Sequence, residues 1–229
     1  MHIAYLTGLL LSALAVITGI VIHESAHALA AYLLGDKTAR SRGRISLNPF
    51  HHIDPFGTVL LPILLILAGG PVFAFAKPVP VYLGNLKHPR RDEVIVSLAG
   101  PASNIALAAV GALGLRALAG SPDMLFGLMG AGGVQIFASF LMTFMSINLS
   151  LAFFNLIPLP PLDGSSVLVL LLRGNALQQY YRVQRYAMPI LIVVLYLLPQ
   201  LTGIDLIGMY FDVTVYPILN SLLSFALSL

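Results

Sequence analysis

The chain has 229 residues, 58% hydrophobic and only 9% charged, with a mean hydropathy of +0.92. Soluble domains carry about 25% charged residues, so an ordinary soluble fold is excluded and an all-α polytopic membrane protein is expected. The net charge of +3 does not mark a nucleic-acid binder, because the basic residues fall in short loops beside apolar spans without interleaved aromatics. With no cysteine, disulfides and thiolate ligands are excluded and any metal falls to His, Asp or Glu.

In chain order, Ile3 to Gly35 reads as one helix of about 50 Å, longer than the roughly 30 Å hydrocarbon core. It lacks a basic n-region and is read as a retained first span, with no removable leader. Within its apolar run stands His23-Glu24-Ser25-Ala26-His27. Histidines four apart share one helix face and can point at one metal, while Glu24 beside them can act on a bound water; this is the HExxH pattern of zinc hydrolases. Glu24 is one of two glutamates in the chain, the other being Glu93. An ionisable group within a span is a functional candidate by default. The bland alternative is a polar patch that glues helices or relays protons.

Lys37, Arg40, Arg42 and Arg44 follow in one short loop, cytoplasmic by the positive-inside rule. Phe56 to Ala76 is apolar but interrupted by Pro62, Gly69, Gly70 and Pro71, and the next loop is as basic as the one before. Both flanks thus want the same side, which predicts a re-entrant hairpin. The neighbouring His51 and His52 are read as belonging to a solvated loop in preference to a second metal site. Val94 to Ala119 is the next span. Further on, Gln135, Ser139, Thr143, Ser146 and Ser150 step by three or four and predict a polar stripe facing the bundle interior. Three prolines within Asn155 to Gly164 break the helix. A short apolar helix runs to Leu172, Ala187 to Ile204 spans, Asp205 and Asp212 bracket an external turn, and Val213 to Leu229 returns. The expectation is about five to six transmembrane helices with a re-entrant hairpin and a broken helix at the site, in a single domain over 1–229.

Catalytic zinc usually takes three protein ligands, and Asp163, the sole charge between Asp123 and Arg173, is the obvious third; its other use is as a helix N-cap. With HExxH, then Ala99-Gly100-Pro101 and Asn104, then Asn155, Pro158, Leu162, Asp163 and Gly164, the stretch from about 15 to 172 resembles the site-2 protease family of intramembrane zinc metalloproteases. The resemblance implies one zinc held by His23, His27 and Asp163, with Glu24 as base and Asn155 helping to hold the substrate strand. Asn104 is divided between helix glue and the cavity wall, and Val79, in Lys77-Pro78-Val79-Pro80-Val81, lies in backbone against which an unwound strand could pair. The implied partners are a transmembrane substrate and the bilayer, in the cytoplasmic membrane of a prokaryote with the site nearer the cytoplasm. No interval is long enough for the PDZ domain that some members carry, and substrate and regulator stay open. A metal or proton transporter should show a pseudo-symmetric repeat, and none is found. A zinc protease acting on prenylated or soluble peptides would need Glu93 as third ligand.

Overall fold

The computed structural model describes residues 2–67 and 75–228. The first helix, α1 (His2–Leu33), runs unbroken because it is predominantly apolar and contains no proline. It ends in a Schellman arrangement: the Gly35 N–H donates to the Tyr32 carbonyl at 3.2 Å and the Asp36 N–H to Ala31 at 2.9 Å. Asp36 then accepts from the Thr38 N–H (3.0 Å), the Asn85 amide (2.9 Å) and the Tyr82 N–H (2.7 Å). One buried carboxylate thereby ties the end of α1 to the chain that precedes the next long helix.

The basic loop contains the short α2 (Thr38–Ser41) and a 3-10 turn at Pro49–His51. A π-helical turn at Pro55–Leu60 leads into α3 (Leu61–Leu67). The chain is next described at Phe75, whose N–H donates to the Gly57 carbonyl at 3.1 Å, while the Lys77 N–H donates to His52 at 2.9 Å. The segment therefore leaves and returns at one end, as a re-entrant hairpin requires. Its expected break at Gly69, Gly70 and Pro71 lies outside the described residues.

Helix α4 (Pro89–Gly120) starts five residues before the expected span, because Pro89 suits a first helical position and Asp92 reaches back to the His88 N–H at 2.8 Å. Pro101 sits buried inside it. Helix α5 (Pro122–Leu156) returns antiparallel after an interruption at Gly130 (φ 69°). Among the described residues, α1, α4 and α5 form the body of the bundle, with Ala108, Ala112, Leu115, Leu141, Met145 and Leu149 in its core. Small residues at these crossings bring the backbones close, the usual solution where lipid gives no hydrophobic drive between helices.

After α5 come a 3-10 turn at Asp163–Ser166, α6 (Val167–Leu171), the amphipathic α7 (Gly174–Gln184), and α8 (Ala187–Ile192) and α9 (Leu198–Thr202) joined by a π-helical turn. Finally α10 (Leu206–Val213) packs on α11 (Val215–Leu227), which lies along α4 and α5. Among the described residues, four helices, Tyr5–Leu33, Pro89–Gly120, Leu125–Leu156 and Leu206–Leu227, are long and apolar enough to cross a membrane; α7 with α8 and α9, bent by 73°, makes a fifth if counted as one span. Leu10, Leu14, Val110, Leu113 and Leu128 stay more than half exposed, as lipid-facing residues do. The protein is an all-α, polytopic integral membrane protein.

Two expectations change. The Tyr210 hydroxyl donates to the Phe153 carbonyl at 3.2 Å, so residues 205–212 lie at the Asp163 end of α5 and not at the opposite face. Asp205 there is the N-cap of α10, accepting from the Gly208 N–H at 2.8 Å. The polar stripe on α5 also misses the interior: Gln135 is exposed and Ser139, Thr143, Ser146 and Ser150 are half-buried, while Leu141, Phe144, Met145, Asn148, Leu149 and Ala152 are buried.

Burial raises the Asp36 pKa, but the hydrogen bonds from Asn85, Thr38 and Tyr82 outweigh it and bring it down to about 2. A depressed carboxylate stabilises the fold fully above its unfolded pKa of 3.8 and loses that contribution as the pH falls through about 2. Asp36→Ala is expected to cost roughly 2–3 kcal/mol at neutral pH, and its deficit against wild type should shrink between pH 4 and 2, measured by thermal unfolding in detergent.

Candidate metal centre

His23 and His27 leave α1 on one face, and their rings meet edge to face with centroids 4.6 Å apart. Both are buried. Each is gripped at Nδ1. His27 Nδ1 lies 2.7 Å from the Val96 carbonyl, which can only accept, so this nitrogen carries the proton. His23 Nδ1 lies 2.6 Å from Asn104 Oδ1. The direction of that bond is fixed two residues away: Asn148 Nδ2 donates to the Phe144 carbonyl at 2.8 Å, so Asn148 Oδ1 accepts from Asn104 Nδ2 at 2.9 Å. Asn104 Oδ1 is thereby turned toward His23 as an acceptor. In the neutral form, both imidazoles spend their single proton at Nδ1 and present bare Nε2 lone pairs.

Asp163 faces those lone pairs. Its Oδ2 lies 3.1 Å from His23 Nε2 and 3.4 Å from His27 Nε2. That oxygen is buried and, among the described residues, has no hydrogen-bond donor assigned to it. The three side chains offer ligand atoms within 4.8 Å of one another. Three acceptors converging without a proton among them fit a divalent cation, and two imidazoles with one carboxylate are a donor set suited to zinc-like ions.

Chain chemistry delivers Asp163 to this point. Helix α5 stops at Leu156, and the proline-rich stretch turns through hydrogen bonds from the Leu159 N–H to Ile157 (2.8 Å) and the Leu162 N–H to Leu159 (2.9 Å). Gly164 then passes so close to the Leu156 carbonyl that a Cβ would collide with it. Leu162, not Asp163, is the N-cap of the turn that follows, and the Asp163 side chain faces the histidines. Behind it, Ser165 Oγ and the Tyr180 hydroxyl are 3.0 Å apart. Gly100 lets α4 approach: a Cβ there would lie 2.6 Å from His23 Nε2 and collide with His27 Nε2.

The group opens on a cavity of about 330 Å³, whose walls include Glu24, Val79, Asn155 and Ser97. Glu24 Oε2 is 4.0 Å from Arg44 Nη2. The structure thus brings together His23, Glu24, His27, Asp163, Asn155 and Val79. Asn104 it places elsewhere, fully buried behind His23 and absent from the cavity wall. Glu93 accepts from the Tyr181 hydroxyl at 3.2 Å and is not part of the metal group. His51 is exposed as expected, but His52 is buried against α1, its Nε2 2.8 Å from the Ser46 carbonyl that also accepts from Ser25. Two contributors were missed. Asn148 could have been found as the amide seven residues before Asn155 on the same face; Arg44 was counted only as a topology charge.

Asn148→Leu removes the acceptor that orients Asn104 and so frees His23 to rotate. Divalent-cation affinity should fall 10–100-fold, the range for loss of a ligand's hydrogen-bond partner, measured by Zn²⁺ competition with a chelating dye.

The sequence profile of peptidase family M50 matches residues 124–198. Over 212 residues the chain is 38% identical to YwhC of Bacillus subtilis (strain 168), which is named as a candidate zinc metalloprotease; the match covers 90% of this chain and 84% of YwhC. It is 32% identical over 196 residues to Rip2 of Mycolicibacterium smegmatis, covering 83% and 69%, and 30% identical over 187 residues to Rip2 of Mycobacterium tuberculosis H37Rv, covering 82% and 66%. Both Rip2 proteins are named in the same way. No solved structure matches the chain.

Proposed function

Since this chain belongs to peptidase family M50, we propose that it is a zinc-dependent endopeptidase that hydrolyses a peptide bond in or beside a transmembrane helix of a membrane-protein substrate. The observation that carries this is the convergence of His23 Nε2, His27 Nε2 and Asp163 Oδ2 on the wall of a cavity shared with Glu24, inside a bundle of membrane-length helices. His23, His27 and Asp163 hold the ion. Bound there, zinc supplies Lewis acidity, polarising the scissile carbonyl and bringing the pKa of water to about 7. Glu24 takes the proton of the attacking water and returns it to the leaving amide nitrogen.

A helix conceals its own carbonyls, so the substrate has to unwind where it is cut. Pro78 and Pro80 hold Lys77 and Val79 in extended conformations and bring no N–H of their own. Among the described residues, no hydrogen bond reaches the backbone of residues 78–81. Their carbonyls and the Val79 and Val81 N–H groups can therefore accept and donate to an unwound strand, in the manner of β-augmentation. The Asn155 amide, on the same cavity, is suited to the strand's other edge.

All Lys and Arg residues except Arg116 lie in loops or helix ends on the Asp163 side of the bundle. This supports a cytoplasmic membrane location with the site nearer the cytoplasm. Because the native chain has no cysteine, single cysteines at positions 40 and 88 report sidedness cleanly. Both should react only with reagent admitted to the cytoplasm, and labelling of either from outside would reverse the orientation.

The function is tested by quantitative proteomics of membrane fragments in cells carrying wild type or Glu24→Gln. Glu24→Gln leaves the three ligands in place, so zinc should stay bound while cleavage falls 10²- to 10⁴-fold. Asp163→Asn substitutes a poorer donor and should weaken zinc as well as abolish cleavage. An unchanged fragment profile in Glu24→Gln would refute the proteolytic role.

A further inference from the structure

Arg44 carries a full charge yet is only 4% exposed, and none of the steps above uses it. Its guanidinium touches three separate parts of the molecule. Nη1 donates to the His51 carbonyl at 2.7 Å, Nη2 donates to the Lys77 carbonyl, and Nη2 stands 4.0 Å from Glu24 Oε2. The remaining Nε is buried and has no hydrogen-bond partner among the described residues. A buried charge of this kind is tolerated only where its contacts offset desolvation, and here the contacts fall on the group that would take the water's proton and on the segment that would receive the substrate. That segment is held at one end by Asp36 through the Tyr82 N–H and at the other by the Gly57 carbonyl through the Phe75 N–H. Between them, Lys77 is the point fastened to the interior.

On the proteolytic assignment given above, we propose that Arg44 is a positioning residue: one guanidinium sets the distance between Glu24 and the 75–82 segment, registering the substrate's strand against the base. The planar fork is what makes this work. Two carbonyls from different segments accept N–H groups in fixed directions while the carboxylate stands at ion-pair distance, an arrangement that a lysine ammonium, a compact point charge on a flexible stem, cannot reproduce.

The test uses spin labels at Leu33→Cys, on the exposed end of α1, and Lys77→Cys, whose side chain is exposed. Distances are measured in the zinc-loaded protein in nanodiscs without substrate. Wild type should give a narrow distribution, and Arg44→Lys and Arg44→Gln should both broaden it, with one zinc per chain retained. Against a membrane protein whose fragment depends on Glu24, both variants should lose at least tenfold in kcat/KM, with much of the loss in KM. A narrow distribution in both variants overturns the proposal even if activity is lost. So does a fully active Arg44→Lys, which would reduce the requirement to charge alone, and so does loss of zinc in both, which would make Arg44 a support of the metal centre. If Arg44→Gln does not fold, the same measurement in Arg44→Gln/Glu24→Gln, which buries no unpaired carboxylate there, decides. The distances need no substrate, so they stand or fall separately from the Glu24→Gln proteomics.

Discussion

Two imidazoles that have given their protons to Val96 and Asn104 confront a carboxylate oxygen at 3.1 and 3.4 Å. In apolar surroundings such a concentration of lone pairs is repulsive without a cation, and an uncompensated buried carboxylate alone is worth several kcal/mol. Much of the architecture follows from meeting that demand. Helix α4 has to come within contact of both rings, which is why position 100 has no side chain. Helix α5 has to stop short, because an intact helix would carry position 163 away from α1. The donor relay through Asn104 and Asn148 ends on a backbone carbonyl, the one acceptor whose polarity cannot be reversed by an amide flip.

The surrounding medium imposes a second demand. Away from water, each backbone polar group requires a partner, and the irregular segments near the site find theirs in a few side chains. Asp36 takes the Tyr82 N–H, Arg90 donates to the Val169 and Leu172 carbonyls at the end of α6, and Arg44 takes those of His51 and Lys77. Loops of this kind are as dependent on single residues as the metal group is. Among the described residues, the backbone they leave without hydrogen bonds includes Pro78, Val79 and Val81, which line the cavity.

The parts legible in the sequence were those where chemistry conflicts with the solvent. Charge-free runs made His23, Glu24, His27 and Asp163 conspicuous, and the prolines after Asn155 announced the break that brings Asp163 round. Periodicity on α5 misled for a physical reason. Ser and Thr hydroxyls can bond to their own helix carbonyls and need no interior, whereas Asn148 satisfies Nδ2 on Phe144 but leaves Oδ1 wanting a donor from another helix. Asp205 and Asp212 misplaced a turn because acidic residues contribute little to topology, and Asp205 is occupied in capping α10. His52 looked solvated because nothing in its neighbours records that the loop folds back onto Ser25. Tertiary partners of that sort leave no periodic trace.

Pro101 carries a consequence for the cavity itself. Lacking an N–H, it cannot close the helical rung onto the Ser97 carbonyl one turn earlier, and Ser97 belongs to the cavity wall. A helix in lipid ordinarily commits all its acceptors to its own ladder. Here Pro101 supplies no donor to the carbonyl of Ser97, a residue that lines the cavity beside His23 and His27. Substitution of the side chain at 97 would leave that oxygen in place. Any residue other than proline at 101 would restore to that carbonyl, four residues away, the N–H that the ladder lacks there.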